Sequence, residues 1–275
     1  MRIGYQGEPY SYSHRAVGEL FPEAEAVGLH GFVEAFAALR GGTVDRLVVP
    51  VENSTTGSVL PVLDRLPGEP GEQPTSIIAE HLVEVRHALL GVKGADVATV
   101  RTVRSHPQAL SQAEATLLAM GVEAVPTADT AGAVREVAAA GDHTMAALAP
   151  PEAAEPHGLA VLRADVMDRA HNTTRFVVLA PGPPDVGPED DKTTVLFVTA
   201  HRPGALALAL TDLGLRGANL TRIESRPSDE EKWSYRFFVD LVHAPGPEAL
   251  AALIEPPPST LTQLRVLGSY RAVDR

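Results

Sequence analysis

Twelve residues two thirds of the way along the chain, Pro181-Gly-Pro-Pro-Asp-Val-Gly-Pro-Glu-Asp-Asp-Lys192, constrain its fold more than any other stretch. Four prolines, two glycines and an acidic run cannot sustain a helix or a central strand, because proline fixes φ and removes a backbone donor. The stretch reads as a linker over 182–192, separating a unit at 1–181 from one at 193–275. A total of 275 residues also favours two domains over one.

The first unit alternates strand and helix patterns. A short strand at Arg2–Gln6 precedes helices at Ser13–Leu20 and Phe32–Leu39; in the second helix Phe32, Ala35, Phe36 and Leu39 recur at helical spacing. Arg46–Val51 is an apolar run suited to a buried parallel strand, followed by polar residues and a helix at Val59–Leu66. Ile77–His87 is expected as one extended segment. Strands at Val100–Val103, Val122–Val125 and Met145–Leu148 then alternate with helices at Pro107–Met120 and Thr130–Ala140, and strands return at Ala160–Leu162 and Arg175–Leu179. Such alternation predicts α/β layers with mainly parallel sheets.

In the second unit, strand, helix, strand, strand, helix, strand succeed one another at Thr194–Thr199, Pro203–Leu213, Asn219–Ser225, Tyr235–Val242, Glu248–Ile254 and Leu264–Leu267, with a turn at Pro227–Lys232. This βαββαβ order is the ferredoxin-like plan. Phe237, Val239 and Leu241 alternate with Phe238, Asp240 and Val242; the mixed face is expected to pair with another copy of the chain. Trp233 near the hairpin is expected to be a packing anchor.

Composition narrows the partners. Lys and Arg number 23 against 35 Asp and Glu, a net charge of −12, so a nucleic-acid partner is not expected. Absence of cysteine excludes disulfides and a thiolate nucleophile, and the ten histidines are scattered without metal-ligand spacing, so no metal is expected. No apolar run reaches the length of a membrane span, and a cytoplasmic location is expected.

Several short motifs carry polar chemistry. Glu52-Asn-Ser-Thr-Thr-Gly-Ser58 follows a strand and opens a helix, which suits either a neutral anion cradle or simple N-capping. Ser105-His-Pro-Gln-Ala-Leu-Ser-Gln112 repeats the design, with Gln108 and Gln112 four residues apart on one helical face. Asn172-Thr-Thr-Arg-Phe176 sets a hydroxyl and an arginine at the head of an apolar strand, where Arg175 can fork onto a carboxylate or form an ordinary ion pair. In the second unit, His201-Arg-Pro-Gly-Ala-Leu206 and Asn219-Leu-Thr-Arg-Ile-Glu-Ser-Arg-Pro227 suit either a small-molecule pocket or ordinary loop and edge-strand chemistry.

Taken in order, these motifs, together with Gly4-Tyr-Gln-Gly7, Tyr12-Ser-His14, Val49-Pro-Val-Glu-Asn-Ser54, Asp129-Thr-Ala131, Trp233-x-Tyr235 and Phe237-Phe-Val-Asp240, make nearly the whole chain resemble a monofunctional prephenate dehydratase with a C-terminal ACT regulatory domain. The resemblance implies an α/β fold: a two-lobed catalytic domain like a type II periplasmic binding protein with the active site in its cleft, followed by a ferredoxin-like ACT domain. The chain is expected to leave the first lobe near Ile77 and return near Arg175.

The implied reaction converts prephenate to phenylpyruvate, water and CO2 in phenylalanine biosynthesis, with no cofactor. Thr174 is then the expected proton donor, with Glu52, Asn53, Ser105 and Gln112 as further catalytic candidates and Arg175, Ser54, Thr55 and Phe176 as substrate contacts. Phenylalanine is expected to bind and inhibit at Gly204, Ala205, Leu206, Asn219, Leu220, Glu224, Ser225, Arg226 and Pro227, in a homodimer or homotetramer. Arogenate dehydratase, or a non-catalytic two-lobed binder with an ACT sensor, are the rival readings.

Overall fold

The computed structural model describes residues 1–169, 171–228 and 234–273. The first lobe contains β1 (Arg2–Gln6), α1 (Tyr12–Leu20), β2 (Glu25–Leu29), α2 (Phe32–Arg40), β3 (Arg46–Asn53), β4 (Gly57–Ser58), α3 (Leu60–Leu63) and β5 (Thr75–Glu84). The chain then crosses to a second lobe made of β6 (Ala88–Val92), β7 (Thr102–Ser105), α4 (Pro107–Ser111), α5 (Glu114–Met120), β8 (Glu123–Pro126), α6 (Thr130–Ala140), β9 (Met145–Ala149) and β10 (Leu159–Arg163). It returns through β11 (Thr173–Pro181). After the proline-rich stretch come β12 (Lys192–Thr199), α7 (Ala205–Leu215), β13 (Asn219–Pro227), β14 (Tyr235–Val242), α8 (Pro247–Ile254) and β15 (Leu261–Tyr270).

The central strands read as expected: Leu47, Val48 and Val49 of β3 are wholly buried, as a strand covered on both faces must be. Three expectations change. Ile77–His87 is not one segment, because β5 pairs with β11 until Glu84 meets Thr173, and the chain crosses lobes only after that. The helix expected over Pro107–Met120 is two helices, and β2 escapes the sequence patterns because its outer positions are exposed. The sheets are mixed rather than mainly parallel, since β5 and β11, the two strands that carry the crossings, enter antiparallel to each other.

The proline-rich stretch does not separate two independent bodies. One ten-stranded sheet runs β13-β14-β12-β15-β5-β11-β3-β1-β2, with β4 pairing β3, so the C-terminal strands extend the first lobe's sheet. The join is a parallel contact at Gly268 and Ile77. Only glycine fits there, because a Cβ on residue 268 would lie 2.1 Å from the Ile77 carbonyl oxygen. Phe238, Leu267 and Tyr270 share a hydrophobic core with Phe36, Leu63 and Val177 of the first lobe. The mixed face of β14, expected to meet another copy, is therefore covered within the same chain. The second lobe has its own five-stranded sheet, β10-β6-β9-β7-β8, with a core on each face. Trp233 and most of the expected turn at Pro227–Lys232 lie outside the described residues.

Candidate active site

Register decides which side chains share the cleft. In the antiparallel pair of β3 and β11, Thr174 lies opposite Asn53 and Arg175 opposite Glu52; beyond them a bulge shifts the pairing so that Phe176 meets Pro50. Directly opposed residues point to the same face, and successive residues to opposite faces. Thr174 and Asn53 therefore face the gap between the lobes, whereas Arg175 and Glu52 face the C-terminal domain.

On the cleft side Asn53 is a hub. Its Nδ2 donates to Thr174 Oγ1 at 2.9 Å and to Asn172 Oδ1 at 2.7 Å. Its Oδ1 accepts from the backbone N–H and hydroxyl of Thr55, at 3.0 and 2.6 Å, and from those of Thr56, both at 3.2 Å. This Asx-type turn explains why the polar run after β3 is so rich in Asn and Thr. Ser54 clamps the turn to β11: its N–H donates to the Thr173 carbonyl and its Oγ accepts from the Thr173 N–H, each at 2.9 Å.

The second lobe closes on this turn through α4. Gln112 Nε2 donates to Thr55 Oγ1 at 2.9 Å, and Gln108 Nε2 to Thr56 Oγ1 at 2.8 Å. Their four-residue spacing puts both amides on one face, and Pro107 starts the helix that presents them. Asn172, buried where the chain returns to the first lobe, donates to Gln112 Oε1 at 3.1 Å. Asn172 and Gln108 were not among the expected site residues. Extended spacing would have found the first, since Asn172 and Thr174 are two apart on one face.

Among the described residues, no acceptor takes the Thr174 hydroxyl proton, while its oxygen receives an amide hydrogen from Asn53. A donor aimed at the oxygen favours build-up of negative charge there and polarises the O–H bond. The arrangement suits proton donation from Thr174 into the cleft. The groups around it, Asn53, Asn172, Gln112, Gln108, Thr55 and Thr56, are neutral and present multiple donors.

Four expected residues are placed elsewhere. Arg175 is 5% exposed and all three side-chain nitrogens are taken: Nε by Glu52 at 3.2 Å, Nη1 by Glu80 at 3.0 Å and Nη2 by Asp240 at 2.5 Å. It has no free edge for a substrate carboxylate. Glu52 is its partner on that far face rather than an acid in the cleft. Ser105 is wholly buried and donates to the Leu148 carbonyl at 2.6 Å, tying β7 to β9. Phe176 packs among Ile3, Tyr5, Val17 and Val48 in the core beneath α1.

In the C-terminal domain, Gly204, Ala205 and Leu206 line a cavity of about 390 Å³ with His201, Tyr235 and Phe237. Gly204 adopts φ +79, a left-handed conformation that favours glycine, where the chain turns into α7. Leu220 packs into that domain's own core and Asn219 begins β13, while Ser225 and Pro227 are exposed along it. Glu224 and Arg226 face the first lobe instead: Ser58 Oγ donates to Glu224 Oε2 at 2.6 Å, and Arg226 forks onto Asp64 at 2.9 and 2.8 Å. The Arg226 fork holds the Asp64 carboxyl below the usual carboxylate range. Among the described residues, the lining of the Gly204–Leu206 cavity thus includes none of the 219–227 motif expected to share its effector.

A family model described as prephenate dehydratase matches residues 3–183, and one described as ACT domain matches residues 193–255. The chain belongs to the prephenate dehydratase family. This family member is 36% identical over 280 residues to "Arogenate dehydratase/prephenate dehydratase 2, chloroplastic" of Arabidopsis thaliana, covering 98% of the chain and 72% of that protein. It is 33% identical to a "Bifunctional N-acyl-homoserine lactone acylase/prephenate dehydratase" of Komagataeibacter europaeus, covering 98% of the chain and 95% of that protein. The solved prephenate dehydratase of Arthrobacter aurescens in complex with L-Phe superposes with a TM-score of 0.84 at 29% identity, over 99% of this chain and 90% of that one. A dehydratase built of two sheets with a C-terminal ACT domain is thereby shown for this sequence.

Proposed function

We propose that this dehydratase converts prephenate to phenylpyruvate, with Thr174 as general acid. Prephenate carries a ring hydroxyl and a ring carboxylate at opposite positions, besides its pyruvyl side chain. As the C–O bond breaks, the Thr174 proton leaves with the hydroxyl as water. The C–C bond to the ring carboxylate breaks with it, CO2 departs, and its electron pair completes the aromatic ring. The alkoxide left on Thr174 regains a proton from solvent. Aromatisation drives the step, so the protein's task is a placed proton and a fixed substrate. The observation that carries this reading is the Asn53–Thr174 hydrogen bond of 2.9 Å, in which the threonine oxygen accepts while, among the described residues, its proton has no acceptor.

The side-chain amides of Asn172, Gln108 and Gln112, each of which commits only one N–H within the cleft, would hold the dianion as the lobes close, so the net charge of −12 does not oppose binding. Phenylalanine as effector is supported by the ACT match and by the L-Phe complex of the Arthrobacter aurescens protein. The Gly204–Leu206 cavity would supply one part of that site and Glu224–Pro227 of another copy the rest, in a homodimer or homotetramer. Arogenate, which bears an amino group where prephenate has a keto group, is the second substrate to test, because the named relatives include arogenate dehydratases.

The test is incubation with prephenate and with arogenate separately, following phenylpyruvate by absorbance and phenylalanine by chromatography. Thr174→Val should cut turnover about 10²–10⁴-fold, the usual contribution of general acid catalysis. Near-normal turnover by that variant would remove Thr174 from the role.

A further inference from the structure

The face of β11 turned away from the cleft holds a buried charge cluster that neither the proton transfer nor substrate binding uses. Around Arg175 and its carboxylates, Lys192 Nζ reaches Glu80 at 2.7 Å and Arg222 Nη1 lies 3.7 Å from Asp240. Thr194 Oγ1 donates to Asp240 Oδ1 at 2.7 Å and also meets the Tyr270 hydroxyl at 2.8 Å. The cluster contains three cations (Arg175, Lys192, Arg222) and three anions (Glu52, Glu80, Asp240), so its net charge is zero. All but Glu52, whose side chain is about a third exposed, are deeply buried, and such charges persist only while each keeps its partner.

The membership of the cluster matters more than its strength. Glu52 comes from β3, Glu80 from β5 and Asp240 from β14 of the ACT domain, and all three meet on Arg175. Asp240 is 1% exposed; burial alone would raise its carboxyl pKa, but Arg175 and Arg222 outweigh burial and hold it below the usual range. A shift of β14 therefore either strands two buried charges or carries Arg175 with it. Arg175 is bonded in sequence to Thr174, and Glu52 to Asn53. Because neighbours on a strand point to opposite faces, the anchoring of Arg175 fixes the roll of β11 and so the aim of the Thr174 hydroxyl. A second contact runs in parallel: Glu224 holds Ser58, which pairs with Glu52 across β3 and β4.

We propose that Asp240, although it belongs to the ACT domain, is a positioning residue for the dehydration: through Arg175 it sets the aim of Thr174, and through the same contact movement of the ACT domain reaches the cleft. This rests on the prephenate dehydratase reading given above. It assigns the ACT domain a part in assembling the active site as well as in sensing an effector.

The experiment compares the full chain with D240N, which keeps the shape and an acceptor for Thr194 but removes the charge facing Arg175. Steady-state kinetics on prephenate should show kcat reduced about 10- to 100-fold with KM within about threefold, since the groups facing the substrate are unchanged. Inhibition by phenylalanine should weaken at least tenfold. Amide hydrogen exchange in peptides covering 172–176 should speed up relative to 177–181 of the same strand. If D240N does not fold, Arg175→Lys, which keeps one cation but cannot span three carboxylates, is read in the same way. Wild-type kcat with wild-type exchange at 172–176 would overturn the proposal, as would a raised KM at unchanged kcat. If the wild-type chain turned over neither prephenate nor arogenate, the functional reading would fail by itself, and hydrogen exchange in D240N would still decide whether Asp240 holds the strand.

Discussion

Asn53→Asp isolates the half of Asn53 that touches Thr174. The Oδ1 side of the residue accepts from the backbone N–H groups of Thr55 and Thr56, and a carboxylate oxygen can accept those bonds equally well, so the turn should survive. The Nδ2 side is different. Two donated bonds, 2.9 Å to Thr174 Oγ1 and 2.7 Å to Asn172 Oδ1, become contacts between oxygens. The threonine hydroxyl can relieve its contact by rotating to donate to the new carboxylate, which takes its proton out of the cleft. The Asn172 carbonyl has no such escape and loses its partner, at a cost of about 1–3 kcal/mol for an unsatisfied buried group. The expected result is a folded protein, measurably destabilised, whose kcat on prephenate falls about 10²–10⁴-fold, as far as loss of the general acid itself. Combining Asn53→Asp with Thr174→Val should add little to either alone, because both remove one function. A kcat within about threefold of wild type for Asn53→Asp, or full additivity in the double variant, would refute the assignment of Asn53 as the group that aims and polarises Thr174.

Two further outcomes follow from packing and burial. Gly268→Ala places a methyl group 2.1 Å from the Ile77 carbonyl oxygen and 2.6 Å from its Cβ, so β15 and β5 must separate; overpacking of this kind costs about 1–3 kcal/mol or more, read as a lower urea midpoint, and should weaken the Asp240 contact as well. His87, 4% exposed and edge-on to Tyr12 beside the lobe crossing, has its pKa lowered by burial to about 4 from an ordinary 6.5. The unfolded chain therefore binds the extra proton first: stability is full above about pH 6.5 and declines as pH falls towards 4, by up to about 3 kcal/mol. Urea titrations of wild type and His87→Phe across pH 4–7 should differ in slope over that window, and identical slopes would refute the buried-histidine account.

The sequence made the ordered motifs, the α/β alternation and the βαββαβ order visible because each is local: an apolar period, a cap or a turn is written within about ten residues. The polar cleft was legible for the same reason, since Asn53, Thr55 and Thr174 stand in short polar runs and Gln108 and Gln112 share a helical face. What stayed hidden was long-range. Arg175 looked like a carboxylate anchor because its immediate neighbours are Thr174 and Phe176, yet its partners lie at positions 52, 80 and 240. Asp240 looked like one member of the mixed face of its strand, for the same reason. Ser105 offered a hydroxyl at a strand end, but only the pairing of β7 with β9 reveals the Leu148 carbonyl that occupies it.

The proline-rich stretch shows most clearly how far a local rule reaches. Residues 182–191 carry no helix or strand, in keeping with Pro183, Pro184 and Pro188 among them. A domain boundary is expected there, but how tightly the two sides pack depends on what the flanking strands bury, and β11 and β12 lead into one continuous sheet. Gly268 admits the close approach, Phe238 and Tyr270 fill the shared core, and a neutral set of six charges closes the junction over Arg175. A linker that merely tethered two domains would leave such charges in water. Here they are buried against the strand that carries Thr174, so the chemistry of the first 181 residues depends on a carboxylate supplied by the last 83.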